Sequence, residues 1–350
     1  MRYNLAAIRK LVSAAFSDEE LKAFCFDRFP DVYQDFTAGQ TQGQRVQLLL
    51  DFAVRQGQLI SMLGAIAHAN PHQYERFSAD LRSESRPPGF EMQPFEPETL
   101  LIPAGPFLMG NDDPAAPASE RPQHAVTLPD FRIGRYPVTV REYAAFINDR
   151  KAQPAPAGWF NRESPAGRLD HPVTDVSWHD ALTYCAWLGE QTGRRYTLPC
   201  EAEWEKACRH DFSRSAPHET TEVVSTNRYP WGVEWAAGRC NAASGGTMAV
   251  TAHGAGASAY GVEDLLGNVQ EWTRSLWGRQ PGQPDFGYPY DPADGREVAD
   301  ARRLPPLARL VHRGGSFKSA PADLRCTARG NALPDSKIAW RGFRVVLVIA

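Results

Sequence analysis

Tyr260-Gly-Val-Glu-Asp-Leu-Leu-Gly-Asn-Val-Gln-Glu-Trp272, followed by His312-Arg-Gly-Gly-Ser316 and Arg341-Gly-Phe-Arg344, sets the character of this chain. Around these runs Pro and Gly are frequent, helical runs are few, and short apolar segments alternate with long loops. Helices are predicted only near Val140–Asp149, His179–Thr192 and Cys200–Arg209, each preceded by a capping-type residue or turn. The nine tryptophans suit a core of large aromatic anchors rather than continuous sheet. This grammar is α+β with much irregular backbone.

Moving outward to the N-terminus, the grammar changes. Residues 1–80 read as an all-α helical bundle. Leu5, Ile8, Leu11, Val12 and Ala15 form one apolar stripe. Ser17-Asp-Glu-Glu20 is a capping box for a second helix carrying Leu21, Phe24, Cys25 and Phe29, which Pro30 stops. Val46, Leu49, Leu50, Ala53 and Val54 give a third stripe with Gly57 as its C-cap. Leu59–Ala69 is the last helix, ended at Asn70-Pro71. Residues 81–97, rich in Pro, Ser and charge, read as a linker.

Composition narrows the function classes. The 38 basic and 41 acidic residues nearly cancel, giving a formal charge of -3, and no block of like charge points to nucleic acid or a membrane surface. The N-terminus reads as an amphipathic helix, not a signal peptide. No apolar run approaches the roughly 20 residues a spanning helix needs. The six cysteines form no CxxC pair. A cytoplasmic protein is expected.

Seven segments in order carry a resemblance: Ile102-Pro-Ala-Gly-Pro-Phe-Leu-Met-Gly110, Phe131-Arg-Ile-Gly-Arg-Tyr-Pro-Val-Thr139, Pro172-Val-Thr-Asp-Val-Ser-Trp178, Leu198-Pro-Cys-Glu-Ala-Glu-Trp204, Tyr229-Pro-Trp-Gly232, the run from Tyr260 to Trp272, and the C-terminal motifs. Residues 98–350 thereby resemble the formylglycine-generating-enzyme, or sulfatase-modifying-factor, family, which implies a C-type-lectin-like fold. Residues 1–80 resemble the bacterial effector-associated, death-like adaptor domains. That likeness implies pairing with an effector protein carrying a similar helical domain. The family resemblance also implies a structural calcium ion, with carboxylates from Asp264 and Glu271 and carbonyls from Gly267 and Val269, the hard oxygen donors Ca²⁺ takes.

The expected chemistry is missing. Enzymes of this family oxidise a substrate cysteine with two copper-binding cysteines just beyond Gly-Gly-Ser; here Ser319 takes the first place and the second falls in the shortened Ala320-Pro-Ala-Asp323. A hydroxyl neither binds Cu(I) nor passes through a disulfide. Cys326 matches a structural cysteine whose partner matches Cys208, so these two form a disulfide or pack as thiols. A second branch of the superfamily uses iron held by three histidines. His68 and His72 have a superficially similar spacing, but Pro71 breaks the helix that would present them. Neither copper nor iron is expected.

The family's substrate groove maps to Gln270, Ser316, Phe317, Ser319, Arg329 and Trp340, an aromatic, a guanidinium and several hydroxyls suited to ligand binding. The leading reading is a non-catalytic recognition and adaptor protein of a bacterial signalling or defence system. It would bind a peptide, protein or small ligand through the lectin-like domain. The alternatives are an enzyme with altered chemistry on the same scaffold, a metal-dependent oxidase or oxygenase, or a retroelement-diversified variable protein.

Overall fold

Ser17 starts a helix by satisfying backbone groups that the helix cannot: its Oγ accepts from Glu20 N (3.4 Å), and Glu20 Oε2 accepts from Ser17 N (2.7 Å). The computed structural model describes residues 5–55, 58–77, 81, 92–209 and 227–349. They fall into two compact units, one ending by residue 92 and one beginning at residue 93.

The first unit is helical: α1 (Leu5–Ala15), α2 (Asp18–Arg28), α3 (Pro30–Gln34), α4 (Gln42–Arg55), α5 (Leu59–Ala69) and α6 (Pro71–Phe77). The expected stripes bury Ile8, Leu11, Val12, Leu21, Phe24, Val46, Leu49 and Leu50 in one core. Three details differ from the expectation. Leu5, the first residue of the α1 stripe, is 45% exposed. Val54 is 47% exposed, on the far side of α4. Pro30 and Pro71 stop one helix and also open the next, because proline suits a first turn where its missing N–H costs nothing. Gly57 and most of the expected linker lie outside the described residues.

The second unit mixes short strands with three helices. Strands β1 (Thr99–Ile102), β4 (Phe131–Gly134), β5 (Tyr196–Thr197) and β10 (Val346–Leu347) form a sheet in the order β1-β4-β10-β5, so the first and last strands both pair with β4. β2 (Gly105–Met109) and β3 (His124–Leu128) make a hairpin. The remaining sheet runs β8 (Gly330–Ala332), β7 (Arg309–Arg313), β6 (Gln270–Gly278), β9 (Arg341–Phe343).

Helix α7 (Val140–Asp149) has a Thr139–Glu142 capping box, and α8 (Trp178–Thr192) has a Ser177–Asp180 box. Gly193, at φ 68°, closes α8 in the left-handed conformation that glycine tolerates. Cys200 caps α9 (Glu201–Arg209): its Sγ accepts from Glu203 N (3.3 Å), and Glu203 Oε2 accepts from Cys200 N (2.7 Å). No helix among the described residues is long and apolar enough to cross a membrane.

Candidate ligand-binding site

The sheet brings the distant motifs side by side. In parallel register Gln270 pairs with Arg341, Glu271 with Gly342 and Trp272 with Phe343; on the other edge of β6, Glu271 faces Arg313 and Trp272 faces His312. Strand alternation then sorts the side chains. Glu271 turns inward, where its carboxylate accepts Arg344 Nε (2.6 Å), Arg344 Nη2 (2.7 Å) and Trp204 Nε1 (2.8 Å). Gln270 turns the other way, accepting from Arg341 Nε (3.1 Å) and Nη2 (3.0 Å).

A cavity of about 190 Å³ opens there, lined by Gln270, His312, Arg313, Arg329 and the Gly314-Gly315 turn among others. His312 is buried, and desolvation together with the Arg341 charge holds its pKa well below the usual imidazole range, so the ring is neutral. It packs so closely under β8 that a Cβ at Gly330 would lie 2.2 Å from its Cε1.

The six groove residues expected from the sequence separate into two groups. Gln270 lines the cavity, and Trp340 adjoins it: Gln270 N donates to Trp340 O (2.9 Å), and the half-buried ring of Trp340 carries the Lys318 ammonium 3.7 Å from its centroid. The other four are engaged within the protein, and of them Arg329 also lines the cavity. Ser319 Oγ accepts from Ser316 N (3.0 Å), and Ser316 O accepts from Ser319 N (2.9 Å). Phe317 is buried, its N donating to Asn268 O (3.0 Å). The Arg329 side chain is fully buried, paired through both Nε and Nη2 (2.8 Å each) with Glu201 and flanked by Trp277 and Tyr288. Its guanidinium pins the core beneath the cavity.

The glutamates of α9 are committed in the same way. Glu201 holds Arg329, Glu203 holds Arg274, and Glu205 holds Arg313 and Arg209. Sequence reasoning did not single out His312, which lines the cavity, or Arg341, whose partner Gln270 lines it. The signal for Arg341 was present: Arg341-Gly-Phe-Arg344 carries two arginines, and only Arg344 finds a carboxylate.

The calcium set assembles only in part. Asp264 is buried with its carboxyl pushed up to about 8, chiefly by desolvation, and it accepts one hydrogen bond from Asn268 Nδ2 (2.7 Å). Gly267 holds the turn at φ 75°, where an added Cβ would meet Asn241 O at 2.2 Å. Asp264 therefore suits a cation. Glu271 does not, because its charge is already matched by the Arg344 fork. Among the described residues no cluster of three or more His, Cys, Asp or Glu could hold a metal.

His68 and His72, both exposed, lie on successive helices α5 and α6 and form no common histidine face. Cys208 and Cys326 are joined in a disulfide, with Cα atoms 5.8 Å apart, within the ordinary range. Cys25, Cys185, Cys200 and Cys240 are free and buried.

Comparison with known proteins places these observations. Residues 86–349 match the sulfatase-modifying factor enzyme 1-like domain, and residues 8–71 match effector-associated domain 7. Hercynine oxygenase of Mycolicibacterium smegmatis is 33% identical over 324 residues, covering 80% of this chain and 70% of that protein. The formylglycine-generating enzyme of Thermomonospora curvata is 31% identical over 310 residues, covering 70% of this chain and 91% of that protein. Among solved structures, PvdO from Pseudomonas aeruginosa superposes with a TM-score of 0.54 at 26% identity, covering 74% of this chain and 97% of that one.

Proposed function

This chain belongs to the sulfatase-modifying factor enzyme 1-like family, and from that premise we propose that it is a recognition member of the family, binding a ligand at the Gln270–Trp340 pocket. The observation that carries this reading is Ser319. Its hydroxyl stands where the oxidases' first cysteine belongs, and it is engaged with Ser316 N as a brace of the turn. The nearest surviving cysteine in sequence, Cys326, is bonded to Cys208. The site therefore offers no thiolate pair for Cu(I) or for passing electrons from a substrate thiol. In the same reading the effector-associated unit couples ligand binding to an effector bearing a like domain.

The test uses the purified full-length chain with Cu(I), oxygen and a cysteine-bearing peptide. The expected result is no peptide aldehyde, for the wild type and for Ser319→Cys alike, since one thiol does not make the pair. Aldehyde formed by the wild type would overturn the reading. For the adaptor half, co-purification of the full chain with proteins bearing effector-associated domains is expected, and retention with α2 and α4 surface substitutions would argue against docking through those helices.

The second reading, an oxygenase-type enzyme, is favoured by the 33% identity to hercynine oxygenase. Iron chemistry there needs a histidine face, which His68 and His72 do not make, so no step is routed through iron. A calcium ion at the 264–269 loop would draw on Asp264 and the carbonyls of Gly267 and Val269, with Glu271 outside the set. A melting midpoint that falls in EGTA and is restored by calcium supports that ion; coincident midpoints remove it.

A further inference from the structure

Among the described residues, buried arginines meet carboxylates, with one exception. Arg45, Arg209, Arg296, Arg313 and Arg344 each pair with an Asp or Glu. Arg341 is as deeply buried, at 5% exposure, yet its partners are neutral. Nε and Nη2 donate to Gln270 Oε1, and Nη1 donates to Ser336 Oγ (3.1 Å). Trp272 lies flat-on 4.6 Å from the guanidinium carbon. No carboxylate among the described residues reaches it.

The surroundings add positive charge. Arg309 faces Asn331 Oδ1, and Lys318 faces the Trp340 ring; neither forms an ion pair among the described residues. Burial and the Arg309 charge bring the Arg341 pKa down to about 10. A cation desolvated without a counter-ion is costly to keep, and an arriving anion relieves that cost. Guanidinium carries two N–H groups on each Nη. One of each is engaged, which leaves one free on Nη1 and one on Nη2.

Arg341 also sits between two openings. Gln270 lines the smaller cavity, while Ser336 lines a groove of about 650 Å³ whose other walls include Leu304, Pro305, Leu333 and Pro334, with the exposed Asp335 held 3.6 Å from His179 on its rim. A planar fork beside an apolar groove matches two coplanar oxygens on an apolar body. A phosphate dianion asks for more donors than one fork, one carboxamide and one hydroxyl supply.

We propose that Arg341, edged by Gln270 and Ser336, receives the carboxylate of a small organic acid whose apolar part rests in the groove between Leu304 and Leu333. This rests on the recognition reading for the pocket and names the ligand class.

The experiment uses the full chain and follows melting midpoint and tryptophan fluorescence. The probes are formate, hexanoate, neutral hexanamide and inorganic phosphate, each against chloride at equal ionic strength. Formate is expected to stabilise the wild type beyond chloride. Hexanoate should bind at least about tenfold more tightly than formate because the groove adds apolar burial, and hexanamide about tenfold more weakly than hexanoate. Arg341→Gln should abolish the discrimination and Arg341→Lys should retain part of it. If Arg341→Gln does not fold, the wild-type Arg341 Nε resonance must move with formate and stay still with chloride.

A wild type that does not distinguish formate from chloride overturns the site, as does an equal response in folded Arg341→Gln. Phosphate binding above hexanoate overturns the carboxylate assignment. Aldehyde formation and carboxylate binding are read separately, so failure here leaves the recognition reading standing, while turnover there overturns that reading without changing the carboxylate readout.

Discussion

Two arginines twelve positions apart, one just before β8 and one opening β9, have opposite fates, and burial with its partners decides between them. Arg329 is matched by Glu201 through two hydrogen bonds and belongs to the core. Removing one member of such a pair strands a charge, so Arg329→Met is expected to lower stability by about 3–5 kcal/mol in urea denaturation. Arg329→Met with Glu201→Met should recover much of that loss. Glu297 provides a second test at this scale. Burial, only partly offset by Arg274, raises its carboxyl from 4.5 to about 7. A carboxyl raised in the folded state binds its proton more tightly there. Its contribution is thus fully present below about pH 4.5 and is lost as pH rises toward 7, on the order of 3 kcal/mol. Glu297→Gln should flatten the urea midpoint over that window; an unchanged slope would remove Glu297 as the cause.

Among the elements, β6 does the sorting: one strand delivers Glu271 to the core and Gln270 to the cavity because successive side chains point to opposite faces. The helices around it are fixed by their first turns. Ser177→Ala removes the acceptor for Asp180 N (3.1 Å) at the start of α8 and is expected to cost about 1 kcal/mol. Thermal or urea unfolding measures it directly, and a change near zero would show that packing of Trp178 alone starts the helix. Cys200 explains itself at this scale too. A thiol at the N-cap of α9 makes the same reciprocal pattern that serine makes elsewhere in this chain, so its presence calls for no redox role.

Across the whole molecule, the Cys208–Cys326 disulfide ties α9 to the loop before β8 across 118 residues. Closing so long a loop restricts the unfolded chain, and Cys326→Ser is expected to cost about 2–4 kcal/mol. Loss of the reductant sensitivity of the melting midpoint in that variant would check it. The bond also bears on location. A reducing cytoplasm disfavours such a link, whereas an oxidising compartment keeps it. Alkylation of freshly lysed cells distinguishes the two: a trapped thiol at Cys326 fits the cytoplasm, and a protected one fits an oxidising setting.

The sequence by itself was enough for the family, for the helical first unit and for the loss of the oxidase cysteine, because each is written locally. Motif order, 3.6-residue apolar stripes and the identity of residue 319 need no partner to be read. It also singled out Gln270 and Arg329, both of which line the cavity. What it could not tell was which of several polar residues face a ligand, since Arg329 and Arg341 are chemically identical in one dimension. The tertiary structure separates these two, putting Glu201 against Arg329 and leaving Arg341 buried with no carboxylate among the described residues; it also puts Arg344 against Glu271. Charge compensation depends on contacts between residues 128 and 73 positions apart, which the placement of α9 and the register of β6 with β9 set.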